Sequence, residues 1–191
     1  MGTSYMTDPL IFLIDTVFSL YILAVVLRFL FQWTRADFYN PISQFMVKIT
    51  HPPLKLLRRF VPAIGKIDTS SMVLALALQM VSDISILMLK GVMVSIAGLV
   101  VLSFTQLISL IINVFIFAVF ARAILSWFDP GNYNSASSLL QSLTEPLLSV
   151  CRKVIPDLGG IDLSPLAALV VLQLAKMMIL PPLQQLASLI G

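Results

Sequence analysis

Apolar residues fall in four long stretches along this 191-residue chain: Leu10 to Phe31, Ser70 to Leu89, Gly91 to Phe128 and Ser164 to Leu180, the last ending before Pro181 and Pro182. As helix, roughly 20 such residues cross a hydrocarbon core of about 30 Å, so the pattern predicts membrane-spanning helices. Two polar, proline-punctuated segments separate them, and each begins as an amphipathic helix. Ile42, Phe45, Met46 and Ile49 share one helical face in the first, and Ala136, Leu139, Leu140 and Leu143 share one in the second. Asn40 and Asn134 are placed to cap these helices, and Pro41 suits a first helical turn. Pro52 and Pro146 are expected to end them. A second short amphipathic piece then interleaves Leu54, Leu57 and Val61 with Lys55, Arg58 and Arg59 and stops at Pro62. Gly65 and Gly159 permit tight turns, after which Asp68 with Ser70, and Asp162 with Ser164 and Pro165, are expected to cap the returning helices.

An offset of 94 residues superimposes the two halves without a gap. Arg28, Trp33, Tyr39, Asn40, Ser43, Thr50, Pro52, Leu54, Arg58, Pro62, Gly65, Ile67, Asp68 and Ser70 recur as Arg122, Trp127, Tyr133, Asn134, Ser137, Thr144, Pro146, Leu148, Arg152, Pro156, Gly159, Ile161, Asp162 and Ser164. That is 14 identities in 43 positions, far more than shared composition produces. The fold class is therefore an all-α integral membrane protein, a tandem duplication of a two-helix hairpin with an amphipathic loop. Residues 1–90 form the first repeat and 104–191 the second. Residues 91–103 are too few to span alone and are read as an apolar interfacial or re-entrant connector, leading into a third span from about Phe104 to Ser126.

Composition agrees with this reading: 59% of residues are hydrophobic, 11% are charged, and the mean hydropathy is +0.99. Residues 1 to 27 hold no Lys or Arg and no small-residue cleavage pattern comes after them, so the first stretch is read as a retained helix rather than a signal peptide. The single cysteine, Cys151, excludes an internal disulfide framework. Seven of the twelve Lys and Arg residues lie between 28 and 66 and three between 122 and 153, which puts both loops in the cytoplasm and both termini outside. The competing topology has five crossings and exports the second loop against its own cations. The +3 charge, spread beside apolar runs, points to lipid head groups and not to nucleic acid.

The order of Arg, Trp, Tyr-Asn-Pro, Thr-x-Pro-x-Leu with a basic pair, Ile or Val before Pro, and Gly-x-Ile-Asp-x-Ser resembles the YggT family of bacterial integral membrane proteins and the single-repeat YlmG proteins related to it. Both copies carry the motif, so the likeness covers nearly the whole chain. It implies a multi-pass protein of the bacterial inner membrane with no catalytic chemistry attached. It also implies a link to osmotic stress tolerance and ion homeostasis in two-repeat members, and to cell division and membrane-complex organisation in single-repeat relatives. The second copy departs at Ser135, where the first has Pro41, and at Gly160, where it has Lys66.

No catalytic, metal or cofactor constellation is legible. His51 aligns with Glu145 and reads as a solvated or interfacial histidine, and Cys151 aligns with Leu57 on an apolar face and reads as a packed thiol. Lys48, Lys55, Arg58 and Arg59 form a basic strip fit for anionic head groups, with Trp33 and Trp127 at the interfacial belt. Arg28 and Arg122 either snorkel to phosphates or close each hairpin through Arg28 with Asp68 and Arg122 with Asp162. Asp83 and Lys176 fall at nearly equal height on equivalent helices, which suggests an ion pair between repeats. Three functions are compatible with these features. The first is a non-enzymatic scaffold or assembly protein that docks on lipid and on another membrane protein or a second copy. The second is an ion channel or transporter component, for which four spans would require a homo-oligomer and Ser82, Asp83, Ser85, Gln106, Ser109, Gln173 and Lys176 supply a thin polar stripe. The third and weakest is an intramembrane enzyme.

Overall fold

The computed structural model describes residues 4–61, 68–128, 134–154 and 162–191, with 4–6 and 127–128 as backbone only. Six helices follow one another: α1 (Ser4–Trp33), α2 (Pro41–Leu57), α3 (Thr69–Lys90), α4 (Ile96–Phe128), α5 (Ser135–Val154) and α6 (Ser164–Ile190). Four are long and apolar enough to cross a membrane, over Thr7–Trp33, Thr69–Lys90, Ile96–Ser126 and Ser164–Ile190. The architecture is the expected one, a pair of two-helix hairpins, each with an amphipathic helix between its spans. α1 packs on α3 and α4 on α6, while α3 meets α4 at the junction of the two halves. One core gathers Ile22, Val25, Val26 and Leu30 of α1, Ala75 of α3, and Leu107 and Ala118 of α4. A smaller one in the second half joins Val119, Leu148 and Ala168 and takes up Cys151 at its edge.

The short connection between the halves is residues 91–95. α3 ends at Gly91, whose φ of 67° is open to a residue without Cβ, and the Val92 amide closes the turn on the Leu87 carbonyl. The expected connector thus divides, because residues 96–103 carry no helix breaker between themselves and Phe104 and form the first turns of α4. At 31 residues the α4 span is about 46 Å long, more than the hydrocarbon core, so it must tilt or project beyond it. Its first turns meet the last turns of α6, where a Cβ on Gly98 would lie 2.6 Å from the Gly191 Cα.

Asn40 caps α2, its Oδ1 accepting the Ile42 amide at 2.9 Å, and Asn134 caps α5 by accepting the Ser137 amide at 2.8 Å. The prolines do not end these helices. α2 continues through Pro52 and Pro53, α5 through Pro146, and α6 through Pro181 and Pro182. A helical proline removes the bond to the carbonyl four residues earlier, so it persists only where that carbonyl finds another donor or water. Pro53 strips the Ile49 carbonyl, and the Tyr21 hydroxyl of α1 donates to that oxygen at 3.1 Å. The second repeat has Phe115 in place of Tyr21 and Leu147 in place of Pro53, so the amide is restored where the hydroxyl is missing. Tyr21→Phe is therefore expected to lower stability by about 1 kcal/mol, and to cost less in a Pro53→Leu background. A double-mutant cycle of thermal unfolding in detergent checks the coupling, and additive effects would contradict it.

Candidate functional site: the charged junctions of the amphipathic helices

Each amphipathic helix is bound to its spans by two polar contacts that occur in both halves. On α1, Arg28 is buried and its Nη1 donates to the Thr50 Oγ1 of α2 at 2.9 Å and to the Val47 carbonyl at 3.3 Å. On α4, Arg122 Nη1 donates to the Thr144 Oγ1 of α5 at 2.8 Å. Each threonine passes its own proton to the carbonyl one turn back, Met46 at 2.6 Å and Leu140 at 2.7 Å. A guanidinium that would otherwise lose its hydration at the membrane border thus finds acceptors within the fold.

The second contact ties the far end of each amphipathic helix to the returning span. Arg58 Nη2 lies 2.7 Å from Asp68 Oδ2, and Arg152 Nε lies 3.2 Å from Asp162 Oδ2. The expected pairs, Arg28 with Asp68 and Arg122 with Asp162, are thereby corrected. Height along a hairpin constrained both partners, but the amphipathic helix lies between the spans and presents the nearer arginine. Arg58 consequently leaves the expected lipid-facing strip. Asp68 occupies the cap position of α3 without bonding a helical amide through its side chain, and takes the Ser71 hydroxyl instead at 2.8 Å. Asp162 does accept the Ser164 amide, at 2.8 Å.

The halves differ where His51 aligns with Glu145. His51 is exposed, whereas Glu145 joins Arg122 at 2.8 Å and Arg152 at 2.8 Å, extending the pair to a run of four charges with Asp162. Burial raises the pKa of Asp68, and the hydrogen bonds from Arg58 and Ser71 outweigh it, so the carboxyl lies below its ordinary value. Glu145 and Asp162 are likewise depressed, burial being overcome by Arg122 and Arg152 for the first and by Ser164 and Arg152 for the second.

Asp83 and Lys176 do not pair. Asp83 is buried and accepts from Ser103 of α4 at 2.7 Å and from Gln79 at 3.2 Å, while Lys176 donates to Asn113 of α4 at 2.7 Å. Repeats related by rotation place equal heights on equivalent faces, which do not look at each other, and α4 stands between α3 and α6. Of the polar stripe, Gln106 joins Gln79 at 2.5 Å, and Ser85 turns back to its own helix at Val81. A cavity of about 610 Å³ with a mixed polar and apolar lining opens beside Asp83, among Asp8, Asp15, Lys90, Gln106 and the apolar Phe12 and Leu102. Lys48, Lys55 and Arg59 are exposed on α2 and just past it, beside Phe45, Leu56 and Phe60. Trp33 is exposed and sets its ring edge-on to Phe115, 6.5 Å between centroids, and the Trp127 side chain lies outside the described residues. Thr50 and Thr144 were legible as repeated identities, yet no spacing rule assigns a threonine to an arginine 22 residues earlier.

Asp68 has 1% of its side chain exposed, against 42% for both Asp162 and Arg58. Breaking the first pair strands a charge in a dry site, at a cost of about 3 kcal/mol in full burial and less here because Arg58 reaches water. The second, exposed pair is worth about 0–1 kcal/mol. Arg58→Gln, which leaves the Asp68 carboxylate unpaired, is expected to lower the melting temperature clearly more than Arg152→Gln, whose carboxylate partners reach water, and equal losses would contradict the assignment. Since the Asp68 pKa is depressed, its stabilisation is present above the unfolded-state pKa and is lost as pH falls through the folded value.

The family model described as CCB3/YggT matches this chain twice, at residues 7–89 and 101–183. A protein of Pseudomonas aeruginosa named "Uncharacterized protein PA0392" is 46% identical over 172 residues, covering 89% of this chain and 87% of its own length. The Escherichia coli K12 protein named "Uncharacterized protein YggT" is 38% identical over 182 residues, covering 93% of this chain and 92% of its own. "YlmG homolog protein 2, chloroplastic" of Arabidopsis thaliana is 40% identical over 78 residues, 41% of this chain and 30% of its own length. No solved structure matches. Two matches in tandem, on a chain that carries the family's motif in each half, make this protein a two-repeat member of the CCB3/YggT family, with YlmG proteins among its relatives.

Proposed function

We propose that this protein is a non-enzymatic scaffold or assembly protein of the bacterial inner membrane. In this reading both amphipathic helices lie on the cytoplasmic face, both termini are outside, and the family's link is to osmotic stress tolerance and ion homeostasis. The supporting observation is the pair of junctions, Arg28 with Thr50 and Arg122 with Thr144, which hold each amphipathic helix against its spans. Helices held this way leave Lys48, Lys55 and Arg59 free to face anionic phosphates, with Phe45, Leu56 and Phe60 beside them for the acyl boundary. Each cation contributes about 1 kcal/mol at an anionic surface and less at high salt. Another membrane protein docks on the same layer.

A second reading, an oligomeric channel or transporter component for ions, is favoured by the three carboxylates, Asp83, Asp8 and Asp15, that line one cavity. Cross-linking in native membranes followed by purification and reconstitution separates the two. The scaffold reading expects a reproducible protein partner, lost when Lys48, Lys55 and Arg59 are changed together to Gln, and no ion flux in proteoliposomes. Flux abolished by Asp83→Asn would overturn it in favour of the channel. On the lipid itself, a maleimide probe at Phe60→Cys in a Cys151→Ser background should react more slowly in phosphatidylglycerol nanodiscs than in phosphatidylcholine ones, and salt should narrow the difference. Equal rates would contradict lipid docking.

A further inference from the structure

Among the described residues the two halves meet along one side, where α1, α2 and α3 of the first repeat receive α4 and α5 of the second. α4 brings Leu107, Ile111 and Val114 into the first-half core around Val26 and Ala75. Under the 94-residue offset that face corresponds to Leu13, Val17 and Leu20 on α1, all exposed: Leu13 is 59% exposed where Leu107 is 8%. The receiving surface behaves the same way. Val26 and Leu76 become Phe120 and Val170, and exposure rises from 4% at Val26 to 54% at Phe120. One interface is thus made once inside the chain, and the apolar residues corresponding to each of its two sides are exposed.

Of the polar contacts at the internal junction, only the one made by Asn40 keeps a polar equivalent on the open surfaces, and the other two become apolar. Gln79 donates to Gln106, Ser103 to Asp83 and the Asn40 amide to the Ser135 carbonyl at 2.7 Å. Their counterparts are Gln173 with Phe12, Met177 with Pro9, and the exposed Asn134 with the backbone of Pro41.

We infer that the protein assembles with copies of itself head to tail, the α4 and α6 surface of one copy receiving α1 of the next as α3 receives α4 within the chain. The inference rests on the repeat geometry and holds for a scaffold or a channel alike. Such a contact is heterologous, and a heterologous contact makes a ring or an open filament. A bilayer keeps every repeat at one depth, which removes the rise and makes the assembly planar, a ring where the rotation per copy divides a full turn and a row otherwise.

Cysteine pairs in the full chain, in native membranes and a Cys151→Ser background, test the register. Gln79→Cys with Gln106→Cys is the internal standard and should give an oxidised monomer. Phe12→Cys with Gln173→Cys should give covalent dimers and larger species on mild oxidation, while either single variant stays monomeric. A double variant that remains monomeric while the internal standard forms would overturn the inference. Dimers from Phe12→Cys or Gln173→Cys alone would also overturn it, because they would show like faces meeting.

Discussion

The solvation of two arginines placed where spanning helices leave the membrane constrains everything else in the fold. Arg28 and Arg122 cannot be buried without acceptors, and each takes a threonine on the next amphipathic helix along the chain. A hydrogen bond from a charged donor contributes about 1.5–3 kcal/mol, and losing it in a dry site costs the desolvation as well. The same bond that accommodates the charge also fixes the azimuth and height of α2 and α5. With those helices pinned, Arg58 and Arg152 fall within reach of Asp68 and Asp162, and each hairpin is closed at that end.

Duplication lets one solution serve twice, and the differences between copies show which parts are interchangeable. Tyr21 with Pro53 becomes Phe115 with Leu147, two ways of satisfying one carbonyl. His51 becomes Glu145, and the second junction gains a bridge between its arginines, which the first lacks among the described residues. The second half thus pins its helix with charge, while the first keeps cations free on the surface. That asymmetry is consistent with a first loop that meets lipid head groups and a second that is held more tightly to its own spans.

Much of the architecture was legible because hydropathy and the 94-residue offset report length and order directly. Four spans, two amphipathic helices and the asparagine caps follow from periodicity and local chemistry. Pairings were less legible, since a linear offset gives height along a helix but not the direction a side chain takes. Asp83 and Lys176 share a height and face different neighbours for that reason. Prolines misled in a similar way: a tertiary donor such as the Tyr21 hydroxyl cannot be seen locally, so α2 reads as two pieces when it is one. Residues 91–103 looked too short to span only because 96–103 were separated from the helix they begin.

The role of the arginine junction is tested most directly by amide hydrogen exchange on the wild-type protein and on Thr50→Val, which keeps the side-chain shape and removes the acceptor. If the junction pins the amphipathic helix, exchange across Pro41–Leu57 should rise about tenfold or more, since 1.4 kcal/mol corresponds to a factor of ten, while α5 and the spans stay unchanged. Unaltered protection across α2, or an equal rise throughout the chain, would contradict it.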